Sequence, residues 1–204
     1  MEQEEAMNQK QIFVKRLFDV CISIISLFLL SPLLILLTIC GVVFTRGMPF
    51  FSQTRIGQAG KPFSILKFRT MHSVPALGTV TTSGDSRITA YGRVLRKFKL
   101  DELPQLWNVL IGDMSIVGPR PDVPGYADLL TGEESLVLSV RPGITGPASL
   151  AFRNEEKILS RVRDPKLFND TVIWPKKVKI NLEYVKTYSF KKDIYYMIQT
   201  VRKI

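Results

Sequence analysis

The chain has 204 residues, 28 Lys and Arg against 18 Asp and Glu, a formal net charge of +10 and 46% hydrophobic residues. That hydrophobicity excludes a disordered chain, and two cysteines, Cys21 and Cys40, both inside one apolar run, exclude a disulfide scaffold. A single histidine, His72, leaves no His–Cys zinc site and no Ser-His-Asp triad that does not use it, so the chemistry falls to carboxylates, basic residues, hydroxyls or backbone.

Residues 1–12 form a polar tail whose first nine residues carry Glu2, Glu4 and Glu5 and no base. Between Val20 and Leu100 the balance reverses: Asp85 is the only acid against ten Lys and Arg. A block that basic suits phosphate, whether in nucleic acid, anionic lipid or a nucleotide; a solvated surface is the alternative.

Val20 to Phe44 is 25 residues without a charge. As a helix it is about 37 Å long, enough to cross a hydrocarbon core of about 30 Å. It is too long, and too poor in a following cleavage site, for a signal peptide. Three readings stay open: a straight span, a segment that enters and returns through one leaflet, and an ordinary core helix of a soluble domain. Ser31-Pro32 at its middle favours the second, because proline removes a backbone donor and kinks a helix. The flanks agree: Lys10, Lys15 and Arg16 before it balance Arg46, Arg55 and Lys61 after it, so the positive-inside rule selects no orientation. The Ser31 hydroxyl can meet a carbonyl freed at the break. Lys15 and Asp19, four apart, are expected to form a structural ion pair.

Thr45 to Gly60 reads as turns around short strands, and Pro62 to Met71 as a strand with Lys67 and Arg69 on one face, a plausible phosphate contact. Val74 to Ser86, rich in Ser, Thr and Gly, reads as a flexible loop. Arg93, Arg96, Lys97 and Lys99 then crowd ahead of Asp101 and Glu102. Asp101 is a good N-cap for a helix through Leu103, Leu106, Trp107 and Leu110 that ends at Gly112. Adjacent carboxylates behind a basic cluster also suit a metal-assisted phosphoryl site, and both readings stand. Arg120, between Pro119 and Pro121, is rigidly mounted for a guanidinium that meets phosphate bidentately. Arg141 to Gly146 reads as a second rigid loop, with a hydroxyl at Thr145. Arg153 and Glu155-Glu156 open a charged helical stretch. Lys191 to Ile204 is an amphipathic helix that packs on the domain or lies on a membrane interface.

Taken together, KRLFDV at 15–20, Ser31-Pro32, KFRTM at 67–71, SRIT at 86–89, GRVLRK at 92–97, LDELPQLWNVLIGDMSIVGPRP at 100–121 and RPGITG at 141–146 resemble the monotopic phosphoglycosyl transferases of the bacterial sugar transferase family. The match runs in order along nearly the whole chain and covers the catalytic core; larger relatives carry an additional N-terminal membrane bundle. The resemblance implies an α+β, mostly helical enzyme: a re-entrant membrane helix hairpin over 13–45, and a compact cytoplasmic catalytic domain over 46–204 with short strands and interfacial amphipathic helices. It implies transfer of a phosphosugar from a UDP-sugar to polyprenol (undecaprenyl) phosphate with release of UMP, on the cytoplasmic face of the bacterial inner membrane. The partners it implies are those two substrates and the lipid bilayer, with no nucleic acid. By position, Asp101 resembles the nucleophile and Glu102 its Mg²⁺-binding partner. Arg96, Arg120 and Arg153 resemble phosphate-binding arginines, with Lys67, Arg69, Arg141 and Thr145 as further phosphate or substrate contacts. PASLAFRNEE after the PGITG loop, and Ser86 where proline is frequent, depart from the pattern and leave the sugar open. Two other readings are a membrane-bound UDP-sugar hydrolase and a non-catalytic basic membrane-anchored module.

Overall fold

A computed structural model describes residues 7–45, 47–72 and 86–202. It is mostly helical, with two small two-stranded sheets. The expected loop at 74–86 lies outside the described residues except for Ser86.

The first helix, α1 (Gln9–Thr45), takes in the apolar run and part of the polar tail. A reciprocal capping box starts it: the Gln11 amide donates to Asn8 Oδ1 and the Asn8 amide to Gln11 Oε1, both at 2.9 Å. The helix continues through Pro32 without interruption. Pro32 cannot donate to the carbonyl four residues back, that of Phe28, and the Ser31 hydroxyl donates to it instead at 2.8 Å. This is the role expected of Ser31.

Both ends of α1 are anchored on the same domain. Near its start Arg16 donates to the carbonyls of Val109 and Leu110, at 2.6 and 2.8 Å, and so satisfies the end of another helix. Asp19 Oδ1 accepts from the Ile116 amide at 3.0 Å. Lys15 pairs not with Asp19 but with Asp193, at 2.5 Å and buried, so the expected i,i+4 pair is replaced by one that closes the chain's two ends. Near the end of α1, Tyr91 donates to the Leu37 carbonyl at 2.7 Å. The middle leaves one face bare: Phe28 is 78% and Leu29 68% exposed.

The expected strands are present as β1 (Phe50–Ile56) and β2 (Pro62–Phe68), which pair antiparallel as a hairpin; β2 ends at Phe68, short of the expected Met71, so Arg69 lies just beyond it. The basic cluster ahead of the carboxylates is a helix, α2 (Ala90–Lys97), capped by Thr89, whose hydroxyl accepts from the Gly92 amide. Gly92 is required there, since a Cβ would stand 2.0 Å from the Thr70 carbonyl oxygen. Helix α3 (Gln105–Ile111) ends, as expected, at Gly112 with φ of 100°. Strand β3 (Ser115–Val117) pairs in parallel with β4 (Gly143–Thr145), so the RPGITG stretch holds a short strand rather than only a loop.

Short helices α4 (Pro147–Ala151), α5 (Glu155–Leu159) and α6 (Pro165–Phe168) lead through a π-helical turn to α7 (Trp174–Lys186) and α8 (Phe190–Arg202). Helix α8 packs on β3 and β4, with Asp193 buried and Thr200 hydrogen-bonded to Thr145 at 2.6 Å. Tyr195, Ile198 and Val201 stay exposed. The main core gathers Ile65, Leu106, Val109, Met114, Val117 and Val185, with Ile22, Leu27 and Leu30 of α1 against it. A second cluster of Leu37, Phe68 and Leu95 takes Leu33 and Leu34, beyond Pro32.

Candidate active site

Asparagine 108 fixes the platform. Its amide nitrogen donates to the Ser64 carbonyl and its oxygen accepts from the Leu66 amide, at 2.8 and 3.0 Å, so α3 is clamped along the edge of β2 that β1 leaves open. That register brings Lys67 of β2 against the residues just before α3.

Those residues do not form the expected cap. Lys99 is left-handed, with φ of 55°, and Leu100–Glu102 make a 3-10 turn. The amides just before α3 and in its first turn bond to carbonyls three residues back: Leu103 to Leu100, Leu106 to Leu103 and Trp107 to Pro104. The residue at the helix start is Pro104, with no side-chain cap. Asp101 therefore caps nothing, and its Oδ1 is buried without a hydrogen-bond partner among the described residues. Burial, and then the negative charge of Glu102, push the Asp101 carboxyl up, against the pull of Lys67, Arg96 and Lys99.

Glu102 is the opposite case. It is buried, and its Oε1 takes both Lys67 Nζ, at 3.2 Å, and Arg120 Nη2. Its Oε2 receives only a long contact from Arg120 Nη1, 3.4 Å. Burial alone would raise its pKa, but Arg120 and Lys67 outweigh that and hold it well below the carboxylate range. Burial lowers Lys67, which Glu102 partly restores. The two neighbouring carboxyls are thus pushed in opposite directions, one only partly offset by nearby cations and one clamped.

Arg120 is held from both sides. The β3–β4 ladder continues past β3, with Gly118 donating to the Thr145 carbonyl and Gly143 to that of Pro119. On the far side Ile56 donates to the Asp122 carbonyl at 2.8 Å, and Arg55 to that of Pro121 at 3.2 Å. Asp122 itself is raised to about 6 by burial, against Lys177, Arg55 and Arg120. Arg96 pairs with Glu156 at 2.7 Å, and Lys177 with Glu155 at 2.6 Å, tying α5 to α2 and α7.

The structure thus brings together Asp101, Glu102, Lys67, Arg96 and Arg120. Arg153 lies exposed in the turn between α4 and α5, two residues from Glu155, whose charge reaches Arg120. Arg69 contacts the Phe50 carbonyl at 3.5 Å. Arg141 and Thr145 stand elsewhere. Arg141 donates to the Gly112 carbonyl at 2.8 Å and has Arg16 and Asp19 as charged neighbours, while Thr145 ties β4 to α8. Arg55 and Asp122 escaped the sequence reading. Arg55 looked like a flanking charge, and only the position of Asp122 directly after PRP signalled it.

Residues 10–204 match the family model described as bacterial sugar transferase. The chain belongs to the bacterial sugar transferase family. It is similar to the sugar transferase EpsL of Bacillus subtilis, 39% identical over 95% of this chain and 88% of that protein. It is also similar to the UDP-glucose:undecaprenyl-phosphate glucose-1-phosphate transferase of Caulobacter vibrioides, 36% identical over 92% of this chain and 68% of that one. The third relative is the UDP-N-acetylgalactosamine-undecaprenyl-phosphate N-acetylgalactosaminephosphotransferase of Aeromonas hydrophila, 34% identical over 94% of this chain and 44% of the relative. This bacterial sugar transferase is an enzyme of the phosphoglycosyl transferase class, and its clustered carboxylates and cations are the residues able to handle a phosphoryl group.

Proposed function

We propose that this enzyme transfers a sugar phosphate from a UDP-sugar to a polyprenol phosphate, releasing UMP, through a covalent aspartyl-phosphosugar intermediate. The step would begin glycan assembly at a bacterial membrane. One observation carries the reading: the buried Asp101 oxygen without a partner among the described residues, beside a Glu102 that Lys67 and Arg120 hold in place. An Asp101 oxygen attacks the β-phosphorus of the donor. The new bond joins Asp101 to phosphorus, and the bond from that phosphorus to the bridging oxygen breaks. UMP leaves with the electron pair on its phosphate oxygen. An oxygen of the polyprenol phosphate then attacks the same phosphorus, and the aspartyl bond breaks to regenerate the carboxylate. Splitting one displacement into two lowers each barrier, and Lys67, Arg96 and Arg120 offset the charge on the transferring group.

The donor set also fits Mg²⁺, which binds through one or two carboxylates plus substrate phosphates and needs no larger acidic cluster. Glu102 Oε2, engaged only at 3.4 Å, is the oxygen with capacity to hold it. When bound, the ion would neutralise diphosphate charge.

The membrane placement follows from α1. Its 37 residues are long and apolar enough to cross a membrane, and 11% of its most apolar window is buried in the protein. A straight span would carry one end to the far side, yet Arg16 and Asp19 near one end and Leu37 near the other all bind one domain. This supports a re-entrant segment with its apolar middle in one leaflet and the domain on the cytoplasmic face. The exposed Tyr195, Ile198 and Val201 of α8 fit an interfacial position.

The deciding experiment is Asp101→Asn in membranes with UDP-sugars and undecaprenyl phosphate. Because Asp101 caps no helix, the variant should unfold no earlier than wild type while UMP release disappears. Wild-type protein given donor alone should gain one phosphosugar on the peptide containing Asp101, seen by mass spectrometry. Substantial release from the asparagine variant would sink the covalent route, and release independent of the lipid acceptor would make the enzyme a hydrolase.

A further inference from the structure

Lys99 stands immediately before the turn that carries Asp101 and Glu102. Its backbone is left-handed, with φ of 55° and ψ of 22°, a conformation in which an L side chain is strained. Among the described residues Ala59 is the only other non-glycine with positive φ. The backbone is closed on both sides: the Lys99 amide donates to the Arg96 carbonyl at 3.3 Å, and the Lys99 carbonyl accepts from the Glu102 amide at 3.4 Å. Its position is therefore fixed by the fold.

The cations around the carboxylates are otherwise committed. Lys67 and Arg120 bind Glu102, and Arg96 binds Glu156. The Lys99 side chain is exposed and forms no ion pair among the described residues, yet its charge lies near enough to act on both Asp101 and Glu102. Glycine would satisfy the backbone here without strain. A lysine in its place points to use of the side chain, since strained non-glycine positions concentrate where function holds them.

We propose that Lys99 is a phosphate-binding residue of the transfer site, its ammonium engaging either the diphosphate of the sugar donor or the phosphate of the polyprenol acceptor. The inference rests on the reading of Asp101 as the nucleophile. An ammonium with no ion-pair partner among the described residues can gain one from the substrate, as a compact point charge suited to a phosphate that changes geometry during transfer.

The test compares Lys99→Gly and Lys99→Arg with wild type, in membranes, using undecaprenyl phosphate and whichever of UDP-glucose, UDP-galactose and UDP-N-acetylgalactosamine the wild type turns over. Lys99→Gly should unfold no earlier than wild type and lose at least about tenfold in kcat/KM, and Lys99→Arg should recover most of the loss. A loss confined to the donor's kcat/KM assigns Lys99 to the diphosphate. A loss confined to the acceptor's assigns it to the lipid phosphate. Equal losses place it where both phosphates pass. Unchanged kinetics in Lys99→Gly, or a loss that tracks a lowered unfolding temperature and that arginine does not repair, overturns the proposal. Asp101→Asn in the same assay separates the two ideas: its inactivity beside a wild-type Lys99→Gly refutes Lys99 alone, while its activity refutes the reading beneath.

Discussion

Replacing Glu102 with glutamine removes one negative charge from between two cations and leaves the shape nearly unchanged. Breaking a buried ion pair from one side typically costs about 3–5 kcal/mol, because the remaining charge is left without a partner. Here the side chains of Glu102 and Lys67 are 11% and 17% exposed, but that of Arg120 is 40% exposed and stays partly hydrated. The expected loss is therefore smaller, about 2–3 kcal/mol, or roughly 4–12 °C in unfolding temperature for a chain of this size. The pH dependence has a definite sign. The folded pKa of Glu102 is depressed, so its stabilisation is fully present above the ordinary value near 4.5 and is lost as pH falls through the folded value. Thermal unfolding of wild type and Glu102→Gln from pH 7 to pH 3 should show a wide gap that narrows below about pH 4.5. Turnover should fall steeply at pH 7, with part regained at high Mg²⁺. A glutamine variant that melts with wild type across the range would show that the clamp on Glu102 contributes nothing.

Arg120→Lys exchanges a fork held between two prolines for a point charge, and turnover should fall at least about tenfold, a barrier change of ~1.4 kcal/mol; steady-state UMP release measures it, and wild-type kinetics would reduce Arg120 to a structural partner of Glu102. Asp122 has a raised folded value, about 6 against an ordinary 3.8, so its contribution is full below about pH 3.8 and is lost as pH rises through about 6. Asp122→Asn should accordingly melt above wild type at pH 8 and with it at pH 4, and a variant less stable at pH 8 contradicts that burial cost. Pro32→Leu restores a donor to the Phe28 carbonyl and should push α1 toward a straight span; cysteines placed at Gln11 and Gln53, in a background without Cys21 and Cys40, should be labelled from one side in the parent and from opposite sides in the leucine variant.

The parts of the fold legible in the sequence are those set by local pattern. An apolar run, an alternating segment between glycines, and a glycine closing a periodic stretch gave α1, the β1–β2 hairpin and the end of α3, because each is decided within a few residues. Distant partners were not legible. Lys15 and Asp19 have helical pairing distance, but the stronger acid partner lies 178 residues away at Asp193, and no local rule ranks it. The flank count met the same limit. Lys15 is committed to Asp193, Arg16 to the end of α3 and Arg55 to the Pro121 carbonyl, so half of the balanced charges never face a membrane. What argues for a re-entrant segment is the anchoring of both helix ends on one domain, which charge counting did not contain.

The same distinction explains why two readings of Asp101 could not be separated beforehand. An aspartate two residues before a helical apolar stretch is what a cap looks like, and the residue types on either side are compatible with it. The left-handed turn at Lys99 decides otherwise: it starts a 3-10 turn whose backbone bonds supply the amides ahead of α3. A carboxylate that would ordinarily be drawn to those amides finds them taken. Its neighbour Glu102 has meanwhile drawn Lys67 and Arg120 to itself. Asp101 is left half-buried and raised, its Oδ1 without a partner among the described residues. A buried polar atom without a partner lowers stability, and here the loss falls on the carboxylate proposed above as the nucleophile. The missing cap and the unpaired oxygen of the proposed nucleophile therefore share one origin, the backbone angle of the residue two positions earlier.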